Sequence, residues 1–264
     1  MTVVVKIGGA AGNDPGALLH ELRGREDCVL VHGGSDAVDR LGARLGVAPR
    51  SFTSPTGVVS RRTDAAQLEV IVLALAGEVQ TRLVAGLNAL GRPAVGLSGV
   101  DGRLVAAHRK EGAREVVGGR ILRVADDRSG AIESVDPKLL NLLLSAGYLP
   151  VVGPPALTPE GEVLNVDADR VAATVAVALG ASDLVLLTNV PGLLGDPSDP
   201  STLLREVARE GIAEVLPLAR GRMRKKVLAA EEALRGGVRR AVIAPSDRDS
   251  PIADALAGGG TTFR

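Results

Sequence analysis

Aromatic side chains are almost absent from these 264 residues: Phe52, Tyr148 and Phe263 are the whole set. Proteins that stack the bases of single-stranded nucleic acid need such rings, so that class is excluded in practice. The core must instead be Val, Leu, Ile and Ala. Cysteine occurs once, as Cys28. This rules out an internal disulfide and a cysteine-based zinc site. The histidines, His20, His32 and His108, are scattered, which argues against a histidine metal centre and leads us to expect no protein-held metal. There is no G-x-x-x-x-G-K-[ST], no G-x-G-x-x-G after the first apolar run, no H-E-x-x-H and no G-x-S-x-G. No apolar run reaches the roughly 18 residues of a membrane-spanning helix. The start, MTVVVKIGG, lacks the basic region and long apolar stretch of a secretory signal. Neither sign of charge is in excess, with 31 Lys plus Arg against 31 Asp plus Glu, which argues against a generic nucleic-acid binder. The expectation is a cytoplasmic enzyme or binding protein with no membrane or nucleic-acid partner.

What is present is ordinary for a globular chain: 45% hydrophobic and 23% charged residues. At this length about 75% of the unfolded surface can be buried without covalent staples. Lysine is scarce, 5 residues against 26 Arg, so each lysine is informative. A site that keeps Lys in an Arg-rich chain needs a compact ammonium, not a planar fork.

Apolar runs over Thr2–Ile7 and Cys28–Val31 read as buried strands, each ended by glycines and followed by a helical stretch. Ser35 is the expected cap of the second helix, and Thr63 or Asp64 of a third that runs to about Gly77. Further strands are expected at Ala94–Leu97, Leu149–Val152, Leu184–Leu187 and Ala241–Ala244. Helices are expected at Pro137–Ala146, Asp167–Leu179, Leu218–Arg235 and Ile252–Leu256. Residues 50–60 are turn-rich, and 102–134 suggest an Arg-rich hairpin split at Gly118-Gly119. The alternation predicts an α/β fold, a three-layer αβα sandwich on an open, mostly parallel sheet. We expect one continuous body with a seam near 180, giving lobes 1–180 and 181–264.

Two Gly-rich strand-to-helix turns stand out, Lys6-Ile7-Gly8-Gly9 and His32-Gly33-Gly34-Ser35. Backbone N–H groups at such turns can receive a phosphate, and two turns on adjacent strands could hold one polyanion. The plainer reading is that the glycines only make tight turns. Lys6 sharpens the first reading, because an ammonium at the end of an apolar strand is costly without an anion to meet. Asn165-Val166-Asp167-Ala168-Asp169 opens a helix, where Asp167 can be a cap and Asp169 can point inward. Five basic residues lie between Arg220 and Lys226 without an acid, either a solvated face or a lysine facing nucleotide phosphates.

Together with Ser60-Arg61-Arg62-Thr63-Asp64 and Gly221-Arg222-Met223-Arg224-Lys225-Lys226-Val227, these motifs occur in an order that resembles the amino-acid kinase superfamily, of the N-acetylglutamate kinase type. The resemblance covers essentially the whole chain. Arg222 where a second Gly is usual, Ser35 where a third Gly is usual, and Leu97-Ser98-Gly99-Val100-Asp101-Gly102 with the Arg-rich hairpin resemble the branch acting on carrier-bound substrates. The resemblance implies the amino-acid kinase fold, ATP with Mg²⁺ held mainly by the phosphates, and phosphorylation of a side-chain carboxylate to an acyl phosphate. In that branch the acceptor is 2-aminoadipate, or glutamate, joined through its amino group to a small acidic carrier protein in lysine biosynthesis. The runner-up is the free N-acetylglutamate kinase of arginine biosynthesis. A third reading, from another class, is a non-catalytic nucleotide or amino-acid sensor.

By motif, the resemblance implies Lys6, Lys226 and Asp169 as the catalytic set, with Asp169 orienting both ammoniums. Gly33, Gly34, Arg61 and Asn165 would bind the acceptor, Arg61 clamping a carboxylate with Arg62 as the alternative. Gly8, Gly9, Thr188, Asn189 and Gly192 would bind ATP, although Asn189 stands where the family usually has Asp. The N–H groups of Gly8, Gly9, Gly33 and Gly34 would cradle phosphoryl oxygens and the acceptor end. Arg109, Lys110, Arg114, Arg120, Arg123, Arg222 and Arg224 are the expected surface for the acidic carrier. A homodimer is expected.

Overall fold

A computed structural model describes residues 1–9, 14–53, 59–110, 114–117, 120–124 and 126–264. The turn-rich segment 54–58 and the hairpin turn Gly118-Gly119 lie outside the described residues, as do the side chains of Arg114 and Arg123.

The main sheet has eight strands: β1 (Val3–Ile7), β2 (Cys28–His32), β3 (Ala94–Ser98), β4 (Leu149–Gly153), β5 (Asp183–Thr188), β6 (Glu206–Val207), β7 (Arg240–Pro245) and β8 (Thr261–Phe263). Their spatial order is β6-β8-β7-β5-β1-β2-β4-β3. The pairs from β7 through β3 are parallel; β8 runs antiparallel to β7. β1 and β2 are buried at every position, which is why they read as unbroken apolar runs and not as alternating ones. β6, a short edge strand, and β8, the short strand between it and β7, are ones that the sequence reading did not foresee.

Alternate residues of each strand serve opposite faces. Val4, Val29 and Val31 meet the helices α5 (Ala168–Ala178) and α6 (Gly221–Arg235). Val3, Val5 and Leu30 meet α1 (Gly16–Leu22), the end of a long helix α3 (Ala65–Ala89), and α7 (Pro251–Leu256). The expected three layers are present. With Phe263 as the aromatic ring in the core, close packing relies on small residues: Ala172, Ala173 and Ala176 of α5 and Ala229, Ala230 and Ala233 of α6 are all fully buried in one cluster.

Helix starts follow local chemistry. Asp64 accepts from Gln67 N at 2.9 Å to open α3, and Asp167 accepts from Asp169 N at 3.0 Å to open α5. Ser35 is not a cap. Gly34 holds that position of α2 (Ser35–Arg44), and the Ser35 hydroxyl donates to the Gly9 carbonyl at 3.0 Å, tying one glycine turn to the other. α6 begins at Gly221, three residues later than expected, after an extended Arg220 and with Gly221 at φ 53°.

The expected break near Gly77 is absent: α3 runs on through a π-helical stretch, Leu73–Val79, to Ala89. This corrects another expectation, because α3, at 25 residues, is long and apolar enough by length and composition to cross a membrane. Here its Leu68, Ile71, Leu75, Leu83 and Leu87 are buried in the protein core.

A smaller mixed sheet includes Val105–Arg109 and Gly130–Val135, which pair antiparallel. Between those strands Arg114–Val117 pairs with Arg120–Arg123, the hairpin expected from the sequence. At Gly180 the chain crosses to the other half of the main sheet. The main-sheet strands before it, β1 to β4, lie on one side, and β5 then pairs with β1 from Val3↔Asp183 to Ile7↔Leu187.

Candidate active site

In a parallel sheet the crevice forms at the carboxyl ends of the strands, where the strand order departs in both directions from a central strand. Here that strand is β1, flanked by β2 and β5. A cleft of about 630 Å³ opens there, lined by the turns after β1 and β2 and by Thr188, Asn189 and Gly192 after β5.

At its floor lie three charges. Lys6 Nζ sits 2.7 Å from Asp169 Oδ1, and Lys226 Nζ donates to both oxygens of Asp169 at 3.0 and 3.1 Å. Exposure is 5%, 7% and 6% for Lys6, Asp169 and Lys226. Burial would raise the Asp169 carboxyl, but the two ammoniums overcome it and hold the group below the usual carboxylate range. Burial and the repulsion of Lys6 lower the Lys226 ammonium to about 8, against the pull of Asp169. One carboxylate between two ammoniums leaves a net positive charge on largely buried groups at the cleft floor, an arrangement suited to a polyanion.

The two glycine turns touch. A methyl on Gly9 would stand 2.0 Å from Gly34 N, and one on Gly33 would stand 3.7 Å from Lys6 Nζ. Glycine is required at position 9 by close approach, not by backbone angle, whereas at Gly33 the contacts are ordinary ones. The N–H groups divide differently from expectation. Gly8 N donates to Leu187 O at 3.1 Å and Gly33 N to Ile7 O at 3.2 Å, extending the β1–β5 and β1–β2 ladders. Gly8 and Gly33 therefore line the cleft without offering a donor. The N–H groups of Gly9 and Gly34 have no partner among the described residues, and both residues line the cleft.

Arg61 lines the cleft and Arg62 does not. Arg61 Nη2 donates to Asp39 at 2.6 Å, while its buried Nη1 has no partner among the described residues. Asn165 Nδ2 donates to Thr63 Oγ1 at 3.0 Å, leaving its oxygen as the acceptor in the cleft wall. Behind both, the buried Asp127 accepts from Thr63 N at 3.1 Å and from Ser129 Oγ at 3.0 Å. Opposite, Val190, Leu194, Pro197, Leu218 and Met223 give an apolar wall.

The expected carrier surface is dispersed. Lys110 and Arg222 line the cleft itself, and Arg120 is exposed on the hairpin. Arg109 is paired with Glu162. That pairing removes Arg109 as an open cation. Arg224 is half-buried on α6, outside the cleft lining. The sequence reading missed Asp39, Asp127, Arg220 and the His32–Gln80 contact. Arg220, which lines the cleft, belongs to a basic run already noted; the acids Asp39 and Asp127 carry no motif.

Residues 1–245 match the amino acid kinase family. The chain belongs to that family. Among related kinases, the "[LysW]-aminoadipate kinase" of Deinococcus radiodurans is 45% identical over 98% of this chain and 90% of its own length. That of Thermus thermophilus is 44% identical over 99% and 100%. The "Acetylglutamate kinase" of Methanopyrus kandleri is 40% identical over 91% and 93%. Among solved structures, N-acetylglutamate synthase from Neisseria gonorrhoeae superposes with a TM-score of 0.78 at 27% identity, covering 99% of this chain and 59% of that one. Kinase membership makes ATP the expected phosphoryl donor, and the cleft fits it: two free backbone donors and two ammoniums for phosphates, an apolar wall for the base. Among the described residues no group of three His, Cys, Asp or Glu could hold a metal ion.

Proposed function

We propose that this kinase transfers the γ-phosphoryl of ATP to the side-chain carboxylate of 2-aminoadipate carried through its amino group on a small acidic protein, a step of lysine biosynthesis in the cytoplasm. The observation that carries the reading is the buried Lys6–Asp169–Lys226 array beneath two converging glycine turns. It is supported by the names of relatives 44–45% identical along nearly the whole chain.

The acceptor carboxylate attacks phosphorus, a new O–P bond forms, and the bond to the ADP oxygen breaks. A carboxylate nucleophile has no proton to lose, so no base is required. Both reactants are anionic, and the chain's task is to neutralise and align them. Lys6, between the two glycine turns, meets the transferring phosphoryl. Lys226, on α6, meets it from the nucleotide side. Asp169 fixes both ammoniums and stays ionised. The N–H groups of Gly9 and Gly34 receive phosphoryl oxygens. Arg61, steadied by Asp39, presents Nη1 to a second carboxylate of the acceptor, and the Asn165 oxygen accepts from the amide N–H of the linkage. Thr188, Asn189 and Gly192 border the nucleotide. Mg²⁺ fits as an ion brought in on the phosphates, where it would offset charge between the β and γ groups. The half before Gly180 takes the acceptor and the half after it the nucleotide. The carrier docks at the cleft mouth by Lys110 and the hairpin, and the kinase works as a homodimer.

The competing reading, a kinase for free N-acetylglutamate, shares every catalytic group and is favoured by the relative of that kind. Steady-state turnover with ATP and each acceptor separates them. The carrier-borne substrate is expected to give the higher kcat/KM, and a preference for free N-acetylglutamate would reverse the assignment. No turnover on either would promote the sensor reading.

A further inference from the structure

His32 lies fully buried at the end of β2, directly before the Gly33-Gly34 turn. Its Nδ1 is 3.2 Å from the Gly33 carbonyl and its Nε2 is 3.5 Å from the Gln80 side-chain amide. A carbonyl only accepts, so Nδ1 carries the ring proton and Nε2 is the acceptor. Gln80 in turn is fixed by one residue of β3, Leu97, in the amide orientation that satisfies both of its groups. Its nitrogen donates to Leu97 O at 3.1 Å and its oxygen accepts from Leu97 N at 2.9 Å.

The fold makes room for this pair with two glycines. A methyl on Gly153 would stand 2.5 Å from His32 Nε2, and one on Gly96 would stand 2.6 Å from the Gln80 amide. Neither glycine has a left-handed φ, so it is the pair that excludes a side chain. Gln80 follows the π-helical stretch of α3, where the wider turn advances the register of the helix face. That stretch also sets Leu75 and Val79 against Gly34, whose Cβ would meet them at 2.4 and 3.0 Å.

We infer that His32 and Gln80 are positioning residues: by holding the Gly33 carbonyl they aim the Gly34 N–H of the same peptide into the cleft. In a trans peptide the C=O and N–H point in opposite directions, so fixing one fixes the other. Gly34 lines the cleft, and its N–H, like that of Gly9, has no partner among the described residues. Burial lowers the imidazole pKa to about 4, despite its bonds to Gly33 and Gln80, and the Lys6 ammonium adds to that lowering. The ring is thus neutral across the working range and keeps one proton on Nδ1. The inference rests on the phosphoryl-transfer reading for its functional consequence and on the geometry alone for the tautomer.

Two full-length variants test it, His32→Asn and His32→Gln. The Asn amide nitrogen falls near the place of Nδ1 and can still donate to Gly33 O, while the Gln amide reaches toward Nε2. H32N is expected to keep kcat within about 5-fold of the parent, and H32Q to lose about 10²-fold, the scale of a misaimed contact. The KM for ATP is expected to stay within about 3-fold in both, as for loss of an interaction made in the transition state. Equal kcat in the two variants overturns the inference, since a merely space-filling histidine would not distinguish them. The same comparison serves for whichever acceptor the parent turns over. ¹⁵N NMR of the wild-type imidazole decides the tautomer whether or not the variants fold. A neutral ring protonated at Nδ1 between about pH 6 and 8 is expected, and protonation at Nε2 overturns the inference. A parent with no turnover and an Nδ1–H ring would defeat the functional reading and leave the His32–Gly33 contact standing.

Discussion

Lys226 donates to both oxygens of Asp169, at 3.0 and 3.1 Å, while Lys6 takes the same Oδ1 at 2.7 Å. Two ammoniums that would repel each other come from different elements: β1 supplies one, α6 the other, and α5 supplies the carboxylate between them. Replacing either lysine by Ala is expected to lower kcat by about 10²–10³, or roughly 2.7–4 kcal/mol, the scale of one lost electrostatic stabiliser. Arg at either place should rescue poorly, because a planar fork cannot take the position of a compact ammonium. Near-parental turnover in Lys6→Ala would remove it from the mechanism.

Asp169→Asn leaves two buried ammoniums without their counter-charge. Breaking such a set costs about 3–5 kcal/mol. The Lys226 ammonium already lies near 8 in the native state, below its ordinary 10.5, and loses its main support in this variant. The unfolded chain then holds the proton that the folded chain sheds, so the variant should gain stability as pH rises from 7 to 9. Thermal unfolding at the two pH values checks this, and a deficit that is the same at both would contradict it.

His32 gives the opposite end of the pH scale. Its native pKa near 4 lies below the ordinary 6.5, so between those values the unfolded state binds the extra proton. Stability is therefore complete above about pH 6.5 and falls as pH drops toward 4, by up to about 3 kcal/mol at about 1.36 kcal/mol per unit. H32N should flatten that part of the stability curve, which urea midpoints between pH 4 and 7 would reveal.

Arg61→Ala is expected to raise KM for the acceptor by at least about 10-fold, as for a charge-assisted bond, and to leave KM for ATP nearly unchanged. Asp39→Ala should shift it the same way by less, since Asp39 touches only Nη2. Arg62→Ala should do little to acceptor binding. A larger acceptor effect from Arg62 than from Arg61 would exchange their roles.

Much of this was legible in the sequence because the main strands are buried on both faces and end in glycine. VVVKI before Gly8 and CVLVH before Gly33 announce both the parallel sheet and the crevice at its carboxyl edge. The scarcity of lysine made each of the five informative, and the family resemblance implied the roles of Lys6 and Lys226. Other features depend on distance in space. Asp39 and Asp127 look like ordinary surface acids until Arg61 and Thr63 come to them across 22 and 64 residues. The N–H groups of Gly8 and Gly33 looked available because a sequence does not show where a ladder ends. β6 and β8, 2 and 3 residues long, are below the length at which periodicity is readable. The His32–Gln80 pair left no trace, because Gln80 is one of three amides on the same helix, with Gln67 and Asn88.

The last prediction concerns the carrier. A free amino acid needs only the cleft, but a protein-borne one also needs a surface beside it. Lys110 stands at the cleft wall and Arg120 is exposed on the hairpin that leaves the strand ending at Arg109. Arg109 itself is neutralised by Glu162, so reversing it would free that acid as well as add a charge. The cleaner variant is Arg120→Glu combined with Arg123→Glu. Exposed charges attract an acidic partner over about a Debye length, about 8–10 Å near physiological ionic strength. KM for the carrier substrate should therefore rise steeply with salt in the parent, and less steeply in the double variant. The variant should have the weaker carrier KM at low salt and an unchanged KM for ATP, since Arg120 lies outside the cleft lining. Salt-insensitive kinetics with full activity on free N-acetylglutamate would overturn the docking surface and favour the free amino acid as substrate.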